Sequence, residues 1–457
     1  MSNSIAVQQK RFIRLAPSNN STVGYSPSAS QPIIRFSVAD TMATADMKAA
    51  RLNFRVRINP TGAAASQVAI GDDFNIDRRV GLSGIVDQVI VSSRRYGSQL
   101  EAVHNMGRLN SAWYDSLYSP KQMLANENLQ TRAVGYGRYD RNSGNYSNAN
   151  TLTDGGSLYM RKQLITGGGE ATGKDSALLD CSIPLHLGLF MSQDVNLNTV
   201  GGLEIAVYLQ KENFLFNGTG AGAPVAASSY TLYDVSLTIP LLYYNANQIA
   251  QLNSQPEKAV QFNRWTSIYG VLDSTFTSIS HRLTLKSLLS SIHNFQPTQA
   301  INSVANNNFA LKGIGLNELT ILQNGVKNPY EKTTIVDKKT NNTLINRRAT
   351  TEAEVNNEAI SAYRAPKDIL YSQVIPENLV GVAANRCEGH HHVGVNYDLS
   401  AGSGLDIAGV IGYDIKSKLE EQTLPAPTDT NTESYAMYSF YLDKQTLMIT
   451  PNGIASM

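Results

Sequence analysis

Gly202-Leu203-Glu204-Ile205-Ala206-Val207-Tyr208-Leu209 and, after a Gly/Ala/Ser-rich break, Tyr233-Asp234-Val235-Ser236-Leu237-Thr238-Ile239-Pro240-Leu241 decide the fold class of this chain. Apolar residues take every second position in both: Leu203, Ile205, Val207 and Leu209, then Val235, Leu237, Ile239 and Leu241. Successive side chains of an extended chain point to opposite faces, so each run reads as a half-buried β-strand. Later in the chain Gly404-Leu405-Asp406-Ile407, Tyr413-Asp414-Ile415, a polar loop and residues 435–449 follow in a similar order. That shared order of strand, long polar loop and closing strand predicts two β-domains built to one plan.

Outward from these strands, residues 1–30 are polar, with Phe12, Ile13 and Leu15 as their main anchors. They read as an N-terminal arm, mobile or ordered by a neighbour. A first sandwich is expected over 31–245, a polar linker over 246–262 and a second sandwich over 263–457. Ile33–Val38 opens the first sandwich. In residues 51–58, Leu52, Phe54, Val56 and Ile58 alternate with Arg51, Asn53, Arg55 and Arg57. No aromatic interleaves with the arginines, so this stripe reads as a solvated or subunit-facing strand face rather than a nucleic-acid surface.

Residues 85–91 read as a buried strand, and Leu100, Val103, Met106, Leu109 and Trp113 recur at the spacing of one helix face. Pro184 marks an edge strand or a strand start. In the second half, a short helix is expected at 249–252 and strand around Phe276, Ile279, Leu283 and Leu285. Leu316–Gln323 reads as a strand closing on an Asn324-Gly325 turn, 350–365 as a surface helix and 437–449 as the last strand.

Composition excludes several classes. With 42% hydrophobic and 16% charged residues among 457, the chain has material for real cores and is no disordered polyelectrolyte. A net charge of +1 supplies no global attraction to nucleic acid or an anionic membrane. There is no run of 18 apolar residues to insert in a bilayer, and Met1-Ser2-Asn3-Ser4-Ile5 lacks the apolar core of a signal peptide. Cys181 and Cys387 form no C-x-x-C pair and read as reduced thiols of a protein assembled inside a cell.

Two motifs invite chemistry and fail it. Gly168-Gly169-Glu170-Ala171-Thr172-Gly173-Lys174-Asp175 nearly spells a phosphate-binding loop, but Asp175 replaces the hydroxyl that would hold Mg²⁺. Cys387-Glu388-Gly389-His390-His391-His392 resembles a metal site, yet adjacent histidines rarely converge on one ion. No Ser/His/Asp grouping or carboxylate pair stands out, so no catalytic, cofactor or metal residue is assigned and the chain reads as a non-enzyme. Tyr-rich loops leave a tandem β-sandwich that binds glycans, or a spike module, as the competing class.

Several pieces, in order, resemble the double jelly-roll major capsid proteins of icosahedral DNA viruses, especially virophages and polinton-like viruses. They are Arg11-Phe12-Ile13-Arg14-Leu15-Ala16-Pro17-Ser18-Asn19, Ile76-Asp77 and Val89-Ile90-Val91-Ser92-Ser93. Gly97-Ser98-Gln99-Leu100-Glu101-Ala102-Val103 and Ile183-Pro184-Leu185-His186-Leu187-Gly188 follow. The last are Gly202-Leu203-Glu204-Ile205 and Tyr441-Leu442-Asp443-Lys444-Gln445-Thr446-Leu447-Met448-Ile449. The resemblance implies an all-β fold of two tandem eight-stranded antiparallel jelly rolls with short helices in loops. It further implies a homotrimer forming a pseudo-hexameric capsomer of a virion shell, in contact with neighbouring capsomers, penton and minor capsid proteins. Loops 120–175 and 325–390 would then form towers or trimer contacts.

Overall fold

In the computed structural model the alternation of the sequence becomes sheet. The structure describes residues 9–27, 32–39, 42–59, 75–76, 80–117, 179–192, 194–217, 229–245, 258–273, 278–281, 283, 285, 287–298, 301, 308–309, 316–323, 326–327, 333–334, 393–396, 413–419, 434–450 and 453–456. The 249–252 and 350–365 helices, Phe276, the 120–175 loop, Gly404-Leu405-Asp406-Ile407 and the 168–175 and 387–392 motifs lie outside these residues.

The first half supplies eight main strands: β1 (Gln9–Leu15), β2 (Ile33–Val38), β3 (Arg51–Asn59), β4 (Val86–Ser93), β5 (Gln99–Val103), β6 (Leu179–Pro184), β7 (Leu203–Leu209) and β8 (Ser229–Tyr243). One sheet runs β1-β8-β3-β6 and the other β2-β7-β4-β5, all antiparallel. In chain order that is first, last, third and sixth facing second, seventh, fourth and fifth. Inward residues of β7 (Leu203, Ile205, Val207) and of β3 (Leu52, Phe54, Val56) are buried between the two sheets, while Arg51, Asn53, Arg55 and Arg57 are half-exposed.

β8 hides a phase change. Tyr230 and Leu232 are buried at even positions, whereas Val235, Leu237, Ile239 and Leu241 are buried at odd ones. A bulge between Tyr233 and Ser236 inserts one residue opposite β3, and Asp234 takes a left-handed φ of 50° there. The extra residue lets both halves of the strand face one core.

The second half repeats the plan with β9 (Lys258–Asp273), β10 (Ser278–His281), β11 (Leu288–Pro297), β12 (Leu316–Gln323), β13 (Val326–Lys327), β14 (Thr333–Thr334), β15 (Val393–Asn396), β16 (Tyr413–Leu419) and β17 (Ser434–Thr450). Its sheets run β9-β17-β11-β15 and β10-β16-β12, with β13 and β14 sharing the free edge of β12. Counting β13 and β14 as one broken strand, this is the same order. Gln323 pairs with Val326 across the expected Asn324-Gly325 hairpin.

Three expectations need correction. Residues 9–15 of the expected arm are strand β1, in ladder register from Gln9↔Tyr243 to Leu15↔Leu237, with Ile13 and Leu15 against the core. Residues 258–262 of the expected linker already belong to β9, paired with Ile449 to Gln445. Leu100 and Val103 sit on β5 rather than on a helix, because Ala102 and Val103 pair with Ile90 and Val89. The chain turns at Asn105, whose φ is 54°, and only then enters α1 (Met106–Leu117), which buries Met106 and Leu109. Pro184 ends β6 at the sheet edge.

Candidate functional site

What the fold builds is a seam. β5 of the first half and β9 of the second pair in parallel at Ala102↔Thr266, which merges one sheet from each half into a continuous surface. β17 lies between β9 and β11, and every residue from Tyr435 to Asp443 is buried. Its Ala436, Tyr438, Phe440 and Leu442 join the core of the first half, along with Phe262, Trp265, Ile292 and Phe309. A strand covered on both faces is apolar or satisfied throughout.

Glu101 of β5 is the polar centre of this seam, 1% exposed. Oε1 accepts the amides of Gly188 at 2.9 Å and Trp265 at 2.8 Å, and Oε2 accepts that of Leu189 at 2.9 Å. Gly188 and Leu189 open α2 (Gly188–Ser192), whereas Trp265 belongs to β9. Burial pushes the Glu101 carboxyl up to about 7, opposed by these three amides and by Arg264. Beside it, the Arg264 fork donates to both oxygens of Asp443, at 3.3 and 3.1 Å. Burial raises the Asp443 pKa against the pull of Arg264.

The second polar centre is Arg108 of α1, fully buried. It donates to Asn294 Oδ1 at 3.2 Å, Gln296 Oε1 at 3.4 Å and the carbonyls of Phe295 and Asn308 at 3.1 and 2.5 Å. Its guanidinium lies 4.7 Å from the Tyr438 ring centroid, a desolvated cation–π contact. Phe309 then enters the first half as a plug. It packs edge-to-face on Phe214 at 5.2 Å, and a Cβ on Gly107 would stand 2.3 Å from its ring. Ser111 Oγ donates to the Phe309 carbonyl at 2.7 Å, and Asn308 Nδ2 to the Asn213 carbonyl at 3.1 Å.

Outside the seam, a groove of about 980 Å³ crosses the outer face of β1-β8-β3-β6, lined by Arg14, Asn53, Arg55, Asp180, Ser236 and Thr238. Arg55 is ion-paired with Asp180 at 3.1 Å and Asp234 at 3.4 Å, on exposed side chains. Such pairs contribute little to stability. The arginine stripe thus lies half-exposed on this outer face, with Arg55 balanced by two aspartates. Cys181 is a buried thiol on β6. Among the described residues, no group of His, Cys, Asp and Glu could hold a metal and no helix is long and apolar enough to cross a membrane. His293 stands 2.8 Å from Ser291 Oγ and 3.0 Å from Ser439 Oγ, but this contact is fully buried and serves packing.

Neither Glu101 nor Arg108 was singled out from sequence. Glu101 follows Leu100 in a short strand where both prove buried, and Arg108 sits on a helix whose acceptors lie almost 200 residues away.

No family model matches the chain, and no curated protein matches it. Solved structures do. The Faustovirus major capsid protein superposes with a TM-score of 0.59 at 9% identity, over 98% of this chain and 91% of its own. The Sputnik virophage structure gives 0.56 at 10% identity, over 99% and 88%. PBCV-1 VP54, fitted into a reconstruction of Sputnik, gives 0.52 at 10% identity, over 98% and 96%. The fold is a double jelly roll. Each eight-stranded roll carries the sheet orders described above, and the seam is where the two rolls meet.

Proposed function

We propose that this double jelly roll is a major capsid protein, three copies of which form a pseudo-hexameric capsomer of an icosahedral virion, assembled inside a host cell. The observation that carries the reading is the repeated roll: three copies related by a threefold axis present six similar sandwiches, the outline of a hexagonal tile. The seam supports it, since a tile must not flex between its halves. We take the first roll as 9–245 and the second as 258–457. Neighbouring capsomers, penton and minor capsid proteins are the expected partners, with no cofactor and no catalysis.

Light scattering on a sizing column is the first test. A mass near 149 kDa, three times 49.7 kDa, or larger shells, is the expected result. A folded monomer at every concentration would return the chain to the glycan-binding class. A second test uses side chains that a lone subunit leaves in water: Phe12 is 65% exposed and Val271 45%. Phe12→Ser with Val271→Ser should change the unfolding free energy by no more than about 0.5 kcal/mol each. The same pair should weaken association at least tenfold, read by sedimentation, if these side chains are covered in the assembly.

A further inference from the structure

We propose that the first roll carries a preformed socket for one uncharged aromatic ring, and that Phe309 of the second roll is its bound ligand. The walls come from three elements of the first roll: the 3-10 turn Gly81–Ile85, α1 and the short helix Glu212–Leu215. Two glycines leave the space. A Cβ on Gly84 would stand 3.0 Å from both Cε2 and Cζ of Phe309 and 3.2 Å from Leu215 Cδ1, and one on Gly107 would stand 2.3 Å from Cε1. Phe214 meets the ring edge-to-face, and Phe309 is fully buried. The ring thus meets carbon and another ring, the surroundings that suit a small arene.

What seats the segment is separate from the ring. Ser111 Oγ donates to the Phe309 carbonyl, Arg108 to the Asn308 carbonyl, and Asn308 Nδ2 to the Asn213 carbonyl. Ser111, Arg108 and Asn213 all belong to the first roll, and none of these bonds uses the phenyl group. Deleting the ring therefore leaves the chain pinned on either side of the gap. A site that cannot collapse keeps its cavity, and an apolar cavity of this kind stays dry and takes benzene.

Gly107 supplies a second consequence that needs no added ligand. The three atoms nearest to a Cβ there all belong to the Phe309 ring, at 2.3, 3.1 and 3.2 Å. A methyl at this position collides with the ring first, and once the ring is gone it fills part of the space. The methyl and the ring exclude each other, so their effects on stability are coupled.

The test reads the unfolding constant of the full chain in urea, with benzene as the probe. Phe309→Ala should raise the constant on the order of 100-fold or more. Benzene near its solubility limit should lower it again by about tenfold or more in the variant, and change wild type by less than about twofold because its socket is filled. Gly107→Ala should raise the constant by about tenfold or more in wild type and not at all in Phe309→Ala. The proposal requires both results. It is overturned by a variant that benzene does not stabilise, by equal stabilisation of wild type, or by an equal Gly107→Ala penalty in the two backgrounds. Should Phe309→Ala fail to fold, the same cycle built on Phe309→Leu decides alone. A smaller Gly107→Ala penalty there than in wild type supports the socket, and an equal or larger one overturns it.

Discussion

Arg108→Leu is expected to cost about 3–5 kcal/mol of unfolding free energy, because several buried neutral acceptors lose their donor at once. Leucine fills much of the space but donates nothing. Asn294 Oδ1, Gln296 Oε1 and the carbonyls of Phe295 and Asn308 then lose a donor at a site closed to water. Each buried orphan costs about 1–3 kcal/mol, partly recovered as neighbours re-pair. Gln296 can lean on Asn308, to which its Nε2 already donates. Arg108→Lys should recover less than half of the loss, because an ammonium cannot reproduce the planar fork or its stacking on Tyr438. Urea unfolding of the three proteins gives the ordering. A loss below about 1 kcal/mol for Arg108→Leu would show that the network adds nothing to the seam.

Gly188→Ala is the second large effect. A Cβ at this position stands 2.4 Å from the Asn263 carbonyl oxygen, 2.8 Å from its carbon and 2.9 Å from the Arg264 Cα. All three are backbone atoms of a strand already laddered to β17, so no side chain can swing aside. α2 must back away from β9, taking the Gly188 and Leu189 amides from Glu101. Overpacking of about 1–3 kcal/mol plus a weakened charge-assisted bond sets the expected loss near 3 kcal/mol. Gly97→Ala makes the contrast. Nothing lies within 4 Å of a Cβ there, but φ is +65°, so only backbone strain of about 1 kcal/mol is expected. Thermal melts of both variants separate collision from strain.

The period-two runs of β3, β7 and β8 made the fold class legible, because one face of each is buried and the pattern survives. The seam was not legible for the same physical reason. Strand β11 reads Leu288-Leu289-Ser290-Ser291-Ile292-His293-Asn294-Phe295-Gln296-Pro297, polar enough for a loop, yet residues 288–296 are buried. Asn294 and Gln296 take Arg108 of the other roll as a donor, Ser291 and His293 pair with each other along the strand, and composition does not record that. The helix spacing of Leu100 and Val103 misled because three- and four-residue steps also occur across a short strand, a turn and a helix start. Asn105, the residue that makes the turn, was the signal to weigh: asparagine tolerates the left-handed region better than most side chains.

In each roll the first strand pairs with the last, β1 with β8 and β9 with β17. A chain emerging from the ribosome therefore cannot close its first roll before Tyr243 has been made, nor its second before the strand ending at Thr450. Contacts so distant in sequence form slowly, and β1 and β3, or β9 and β11, wait meanwhile with an open edge where the last strand will insert. The first roll can close early, but Phe309 and the acceptors of Arg108 arrive only with the second. Nascent chains stalled between residues 245 and 308 should thus be the aggregation-prone species, and slowing synthesis in that interval should lower the soluble yield.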